Sequence, residues 1–288
     1  MQPKVSVCVC TRNRPEELRR CLESIERSTL RVGEVVVSDD STDERTAEML
    51  RGDRGSARYI RGPRSGLGAN RNQALRASSG DYVLFLDDDA CLGESFLERA
   101  LACRGTHGPD PRLIVSGCES NHGAIVTAHA QSFLGFQRVP YRGDVGLRTI
   151  VINSTLFPRS LFRLASFDEQ LVYGYDEVDI AAQALGHGYR IVHCDDAINF
   201  HYPSPVNRSY YEPHLEVSRL YVTFKRYALY ERSYGKAVLF AALAPLHCVL
   251  AAIRRRGVAG TADACRAIVA AACFCAESLR RSPGSRAA

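Results

Sequence analysis

Tyr82-Val83-Leu84-Phe85-Leu86-Asp87-Asp88-Asp89 carries an apolar run straight into three carboxylates. A short continuous apolar run is what a strand buried on both faces looks like, the usual case in a parallel sheet. Three adjacent carboxylates repel one another, and holding them at a strand end costs stability unless a cation compensates. Upstream, the same grammar recurs twice. Val5 to Cys10 ends at Thr11-Arg12-Asn13-Arg14-Pro15, and Glu34 to Ser38 ends at Asp39-Asp40-Ser41-Thr42-Asp43. Between these runs, Leu18, Cys21, Leu22 and Ile25 recur at helical spacing, with Pro15 suited to the first turn and Asn13 or Thr11 available as cap. A short helix through Thr46 to Leu50, a strand at Arg58 to Ile60 and a helix from Ala69 to Ala77 complete the half. Strands alternating with helices predict an α/β fold: a Rossmann-like, mostly parallel central sheet flanked by helices. Ligands of such sheets bind beyond the carboxyl ends of the strands, so the three polar clusters should converge on one crevice.

Each cluster admits a chemical and a bland reading. Asp87, Asp88 and Asp89 suit a Mg²⁺ or Mn²⁺ site serving a nucleotide diphosphate, since hard cations take oxygen ligands; the bland reading is a solvated acidic turn. Asp39 and Asp40 can accept hydrogen bonds from a base or ribose, while Ser41 or Thr42 can simply cap the next helix. Gly66-Leu67-Gly68-Ala69-Asn70-Arg71 offers a helix N-terminus to an anion and an arginine to a phosphate, or is a surface turn. Asp176 and Glu177, within Tyr173-Gly174-Tyr175-Asp176-Glu177-Val178-Asp179, can supply a general base, or are a charged first helical turn over Glu177 to Leu185. His201, in a loop rich in Pro and Asn, is a metal or phosphate ligand or a surface residue.

In this order, the elements over roughly residues 4 to 205 resemble the family 2 inverting glycosyltransferases of the GT-A fold. VSVCVCTRNRPEELRRCLESI resembles the opening strand and helix, EVVVSDDSTDE the nucleoside-binding strand end, GLGANRNQAL the helix that follows, YVLFLDDDA the aspartate motif and FDEQLVYGYDEVDIAAQALGHGYRI the catalytic segment. The resemblance implies nucleotide contacts from Cys10, Thr11, Arg12, Asp39, Asp40, Arg71 and Asp88. It implies metal ligation by Asp87, Asp89 and His201, with Asp89 the direct ligand. It implies transfer of a sugar from a nucleotide-sugar donor, UDP-linked by preference, to an acceptor hydroxyl of a glycan, a lipid-linked sugar or a small natural product. The family carries Glu-Asp where this chain has Asp176-Glu177, so the base is Glu177 or Asp176. Asp168-Glu169 reads as structural or acceptor-side. A sugar-phosphate nucleotidyltransferase is the alternative enzyme, although the glycine-rich loop expected after its first strand is missing. A non-catalytic nucleotide-sugar-binding protein attached to a membrane is the alternative outside enzymology.

The second half is less regular: strands at Leu113 to Gly117, Ile150 to Asn153 and Arg190 to His193, a loop from Gly135 to Arg148, a helix near Pro158 to Leu164, and continuous helix after Tyr210. The expected organisation is a GT-A catalytic domain over 1–210, with a donor half (1–115) and an acceptor and catalytic half (116–210), then a helical C-terminal extension over 211–288. Acceptor choice is expected in residues 117 to 155, where Arg138, Tyr141, Arg142 and Arg148 can meet an anion.

From Arg254 onward seven arginines face only Asp263 and Glu277, a balance of +5 that equals the net charge of the whole 288-residue chain. The body is therefore near neutral, which speaks against a nucleic-acid partner and for an anionic partner of the tail alone. Ala237 to Ile253 is apolar, broken by Pro245 and His247 and followed by Arg254-Arg255-Arg256; Ile268 to Ala276 is a second run, too short to span a bilayer. A helical cap or homodimer face, a helix lying on the membrane through 237–281, and a true span compete. Met1 to Lys4 leads directly into the first strand, with no secretory pattern. The eleven cysteines form no CxxC pair and read as buried or half-buried reduced thiols. Together these suggest a cytoplasmic protein, at most peripheral on the inner face of a membrane.

Overall fold

A computed structural model describes residues 3–52, 57–141, 146–204 and 208–281; Met1, Gln2 and Arg142 lie outside them. The first half runs β1 (Val5–Thr11), α1 (Pro15–Glu26), β2 (Glu34–Asp39), α2 (Arg45–Gly52), β3 (Ala57–Arg61), α3 (Leu67–Ala77) and β4 (Tyr82–Asp87). Then come β5 (Ala90–Cys91), α4 (Phe96–Thr106), β6 (Leu113–Asn121), β7 (Ala124–Val126), β8 (His129–Gln131), β9 (Gln137–Pro140), β10 (Thr155–Pro158), α5 (Asp176–Gly186) and β11 (Arg190–His201). The chain closes with α6 (Arg208–Lys225), α7 (Tyr234–Arg256) and α8 (Thr261–Arg281).

The main sheet has the order β3-β2-β1-β4-β10-β6-β11-β5, with β7 on β6. Strands β1 to β4 are parallel to one another, as the continuous apolar runs dictate, and β11 runs parallel to β6. Between them β10 is inserted antiparallel to both β4 and β6, so the sheet is mixed. Two apolar layers cover it: α1 and α4 residues such as Leu18, Leu22, Phe96 and Leu97 on one face, and Ala74, Leu75, Phe157, Phe167 and Ile180 on the other.

Several local expectations change. Ile150 to Asn153 is no strand: residues Ile152–Ser154 form a 3₁₀ turn, and β10 follows it. The helix near Pro158 is a 3₁₀ turn, Arg159–Arg163. Within the expected loop from Gly135, β9 pairs with β8. The strand at Arg190 does not stop at His193; it passes an irregularity between His193 and Ile198 and ends at His201, which is thus a strand-end residue and not a loop one.

Two further expectations concern the extension. Pro245 does not break α7, which runs 23 residues through it, forfeiting one backbone hydrogen bond. The run from Ile268 lies inside a much longer helix, and both Tyr234–Arg256 and Val258–Arg281 are long and apolar enough to cross a membrane. The extension still shares a core with the preceding half, where Leu171 and Val178 meet Leu220, Tyr221, Val222 and Phe240. All eleven cysteines are free; nine are buried or half-buried, while Cys265 and Cys273 on the outward side of α8 are exposed.

Candidate functional site

The parallel register brings Thr11 beside Asp39 and Cys10 beside Asp87, so the carboxyl ends of β1, β2 and β4 stop at one level. The loops leaving them lock together. Asn13, at φ 58°, does not cap its own helix; its side-chain carbonyl accepts the Thr42 N–H at 2.8 Å, and its own N–H donates to Ser41 Oγ at 2.7 Å. Ser41 and Thr42 are thus taken up by the first loop, and Asp43 accepts the Arg45 N–H at the start of α2.

Asp39 spends both oxygens on protein donors, the Ser41 N–H at 2.8 Å and the Tyr59 hydroxyl at 3.2 Å. Asp40 is buried and accepts the Arg64 N–H at 2.8 Å. Burial pushes its carboxyl up, opposed by that hydrogen bond and by the charge of Arg12. Gly62 makes room: a Cβ there would stand 2.1 Å from Asp40 Oδ1. Cys10 is an inaccessible strand residue whose thiol burial pushes well up.

The aspartate turn divides into three environments. Asp88 is fully buried, accepting from Thr11 Oγ1 at 2.8 Å and pairing with Arg14 Nη2 at 2.6 Å; burial still pushes its carboxyl up to about 7. Asp89 pairs with Arg14 Nη1 at 2.8 Å and accepts the Ser204 N–H at 3.1 Å. Burial raises it, but His201, Arg14 and that N–H outweigh burial and hold it below the usual carboxylate range. Asp87 pairs with Arg71 Nη2 at 2.8 Å, and its N–H donates to Asn153 Oδ1.

Arg71 is the hinge of the site. It is 1 % exposed, lies over the Phe167 ring at 5.5 Å, and pairs with Asp87 on one side and Asp176 on the other. Its charge is spent on two protein carboxylates, which tie the aspartate turn to the N-terminus of α5. The glycines before it serve the same junction: a Cβ at Gly68 would come 2.6 Å from the Asp168 carbonyl oxygen, and Gly66 sits at φ 106° against Val172. The close approach they permit is thus made by the chain itself.

Asp176 is committed to Arg71, while Glu177, next to it, forms no ion pair among the described residues. Burial pushes it up, opposed by a hydrogen bond at its own backbone, by the charge of Arg71 and by the Gln137 side chain on β9. Asp168 and Asp179, nearby, both pair with Lys225 of α6, at 2.5 and 2.9 Å.

His201 Nε2 faces Asp89 Oδ1 at 3.4 Å, while its Nδ1 lies 2.9 Å from Glu119 Oε1. Burial lowers its pKa, but the two carboxylates win and lift it to about 10. An imidazole held by a carboxylate on one nitrogen and facing a carboxylate oxygen with the other fits a divalent cation between Asp89 and His201, with Glu119 orienting the ring. A second donor group, Cys118, His193 and Asp195, has ligand atoms within 4.8 Å of one another but includes none of Asp87, Asp88 and Asp89.

Sequence reasoning did not single out Arg14, Glu119, Gln137, Asn153 and Lys225. Arg14 stands in the same motif as Arg12, and nothing in the string tells which arginine turns back onto the aspartates.

Residues 6–147 match the family described as Glycosyl transferase family 2. The glycosyltransferase AglE of Haloferax volcanii is 27% identical over 213 residues, covering 70% of this chain and 68% of that protein. The GalNAc(5)-diNAcBac-PP-undecaprenol beta-1,3-glucosyltransferase of Campylobacter jejuni is 35% identical over 92 residues, 30% of each chain. Among solved structures, GalNAc-T7 with UDP, GalNAc and Mn²⁺ superposes with a TM-score of 0.66 at 17% identity, covering 81% of this chain; this chain spans 49% of that one.

Proposed function

The chain belongs to the family 2 glycosyltransferases and has their GT-A fold, and from that premise we propose that it moves a sugar from a nucleotide-diphospho-sugar, UDP-linked by preference, to an acceptor hydroxyl with inversion. The observation that carries the reading is the Arg71 bridge. It joins the turn suited to a diphosphate and its cation to the helix start that bears Glu177. A donor-side and an acceptor-side acid cluster joined through one buried arginine suits glycosyl transfer, and a nucleotide-binding protein without an acceptor would have no use for the second.

The nucleoside lies in this reading over the ends of β1 and β2, where Asp40 has an oxygen beyond its Arg64 bond and Arg12 stands near it. Asp89 and His201 would hold Mg²⁺ or Mn²⁺; when bound, the cation neutralises charge on the diphosphate leaving group. The likeness to a fold solved with UDP and Mn²⁺ supports that choice. Glu177 takes the proton of the acceptor hydroxyl. Its raised pKa brings it closer to the range in which a carboxylate works as a base. The acceptor oxygen forms its bond to the anomeric carbon from the face opposite the diphosphate. The bond to the diphosphate breaks with its electron pair, and configuration inverts without a covalent sugar-enzyme stage. Residues 1–115 form the donor half, 116–210 the acceptor half, and the C-terminal helices rest on a cytoplasmic membrane surface through α7.

Calorimetric titration with UDP, GDP and dTDP, with and without Mn²⁺, on wild type and Asp89→Ala, tests the donor site. One nucleotide should bind tightly only when both Mn²⁺ and Asp89 are present. Binding indifferent to the ion and to Asp89 would reduce the aspartates to an acidic turn.

A further inference from the structure

Between β9 and the C-terminal end of α7 lies a cavity of about 750 Å³ whose rim bears Arg138, Arg254 and Arg255 and whose wall is Leu134, Phe136 and Leu250. Nearby arginines are spent: Arg148 on Glu231, Arg219 on Glu216, Arg256 on Asp263. No ion pair among the described residues engages Arg138, Arg254 or Arg255. Three guanidinium groups left without carboxylates around one cavity favour a multiply charged anion, and phosphate matches the guanidinium fork.

The wall identifies the rest of the ligand. Leu250 continues a line of residues at helical spacing, Leu239, Leu243, Leu246, Leu250 and Ile253, each between 42% and 57% exposed. The line covers roughly 20 Å of α7 and ends at the arginines. A soluble phosphate uses only the rim; an amphiphile uses both. The cavity also adjoins the reaction. Gln137, next to Arg138 on β9, hydrogen-bonds Glu177. The Tyr175 hydroxyl just before α5, which burial pushes up to about 12, feels the charges of Arg219 and Arg138.

We propose that this cavity holds the phosphate of a membrane lipid whose headgroup carries the acceptor hydroxyl, with the lipid tail along the exposed leucine line of α7. This rests on the glycosyltransferase reading and names the acceptor class for it. The lipid phosphate is chosen over a bulk anionic surface because Arg138 belongs to β9, on the side of the base, and not to the helix.

The test is co-sedimentation of the full chain with phosphatidylcholine vesicles. They are used plain, doped with a long-chain isoprenyl phosphate, or doped to the same charge with oleic acid, an anionic amphiphile without phosphate. Capture should be strongest on the isoprenyl phosphate and should fall roughly fivefold for each arginine removed by Arg138→Ala, Arg254→Ala or Arg255→Ala. All three side chains lie at the surface, so the variants retain their fold. Equal capture by vesicles doped with oleic acid together with an inert Arg138→Ala would mean a generic anionic surface and would overturn the site, as would no capture at all. Hydrolysis of the nucleotide-sugar by wild type, with water as acceptor, is measured alongside. If hydrolysis persists while lipid capture fails, only this inference falls.

Discussion

Replacing Arg71 with Met keeps much of the side chain's length and its contact with Phe167 but removes the cation that pairs with both Asp87 and Asp176. Asp176 is 6 % exposed and cannot turn to water, whereas Asp87 is only part-buried and can relax. Breaking a buried pair by removing one partner costs about 3–5 kcal/mol, and one trapped carboxylate with one relaxing one sets the expectation near the lower end, about 3 kcal/mol. Urea unfolding of wild type and Arg71→Met at neutral pH measures this as a shift in midpoint at constant slope. Two corollaries make the argument strict. The deficit should shrink as pH falls, because the abandoned carboxylate takes up a proton. Adding Asp176→Asn should return about 1–3 kcal/mol through coupling. A loss below about 1 kcal/mol, or a double variant no better than the sum of its parts, would refute the picture of Arg71 as the charge that closes the site.

Gly68→Ala should destabilise by about 1–3 kcal/mol although alanine favours helices, because its Cβ would meet the Asp168 carbonyl oxygen at 2.6 Å; thermal unfolding shows it, and a gain in stability would refute the contact. Glu34, whose carboxyl is held at about 2 against an ordinary 4.5, accepts hydrogen bonds from Ser6, Ser79 and Gly80. A depressed carboxylate contributes stability that is complete above the unfolded pKa and is lost as pH falls from about 4.5 towards 2. Glu34→Gln should therefore cost up to about 3 kcal/mol at neutral pH and progressively less in acid, read from unfolding at a series of pH values. Glu177 is raised, chiefly by burial, so the acid limb of kcat/KM should lie above the pH of an ordinary glutamate. Gln137→Ala, which removes a hydrogen bond that favours the charged form, should move that limb to still higher pH, and a move to lower pH would exclude Glu177 as the base.

What could be read in the residue string was whatever burial writes directly. The apolar runs of β1, β2 and β4 are covered on both faces, so they appear as largely continuous apolar stretches, and their polar ends share a level because the strands are parallel. β10 is four residues long and owes its place to partners on both sides, leaving no periodicity to find. β11 hides behind Asp195 and Asp196, which lie at an irregularity in its pairing, so its last residue reads as loop. The division of labour between Asp176 and Glu177 was illegible for another reason. It depends on Arg71, about a hundred positions away, and only the close approach permitted by Gly66 and Gly68 brings the two together.

Lys225 gives the architecture an evolutionary consequence. It stands on α6, yet it is the cation that the structure supplies to both Asp168 and Asp179 of the preceding half. A gene fragment ending before α6 would encode two buried acids without their counter-charge. Losing or exchanging the C-terminal helices would therefore leave both acids without this partner. Recombination that trades this tail for another must bring a lysine to the same spot or change both aspartates at once. A lineage carrying the pair of acids should thus inherit its tail and its catalyst as a single unit, and diversify by altering the outward faces of the helices, not by swapping them.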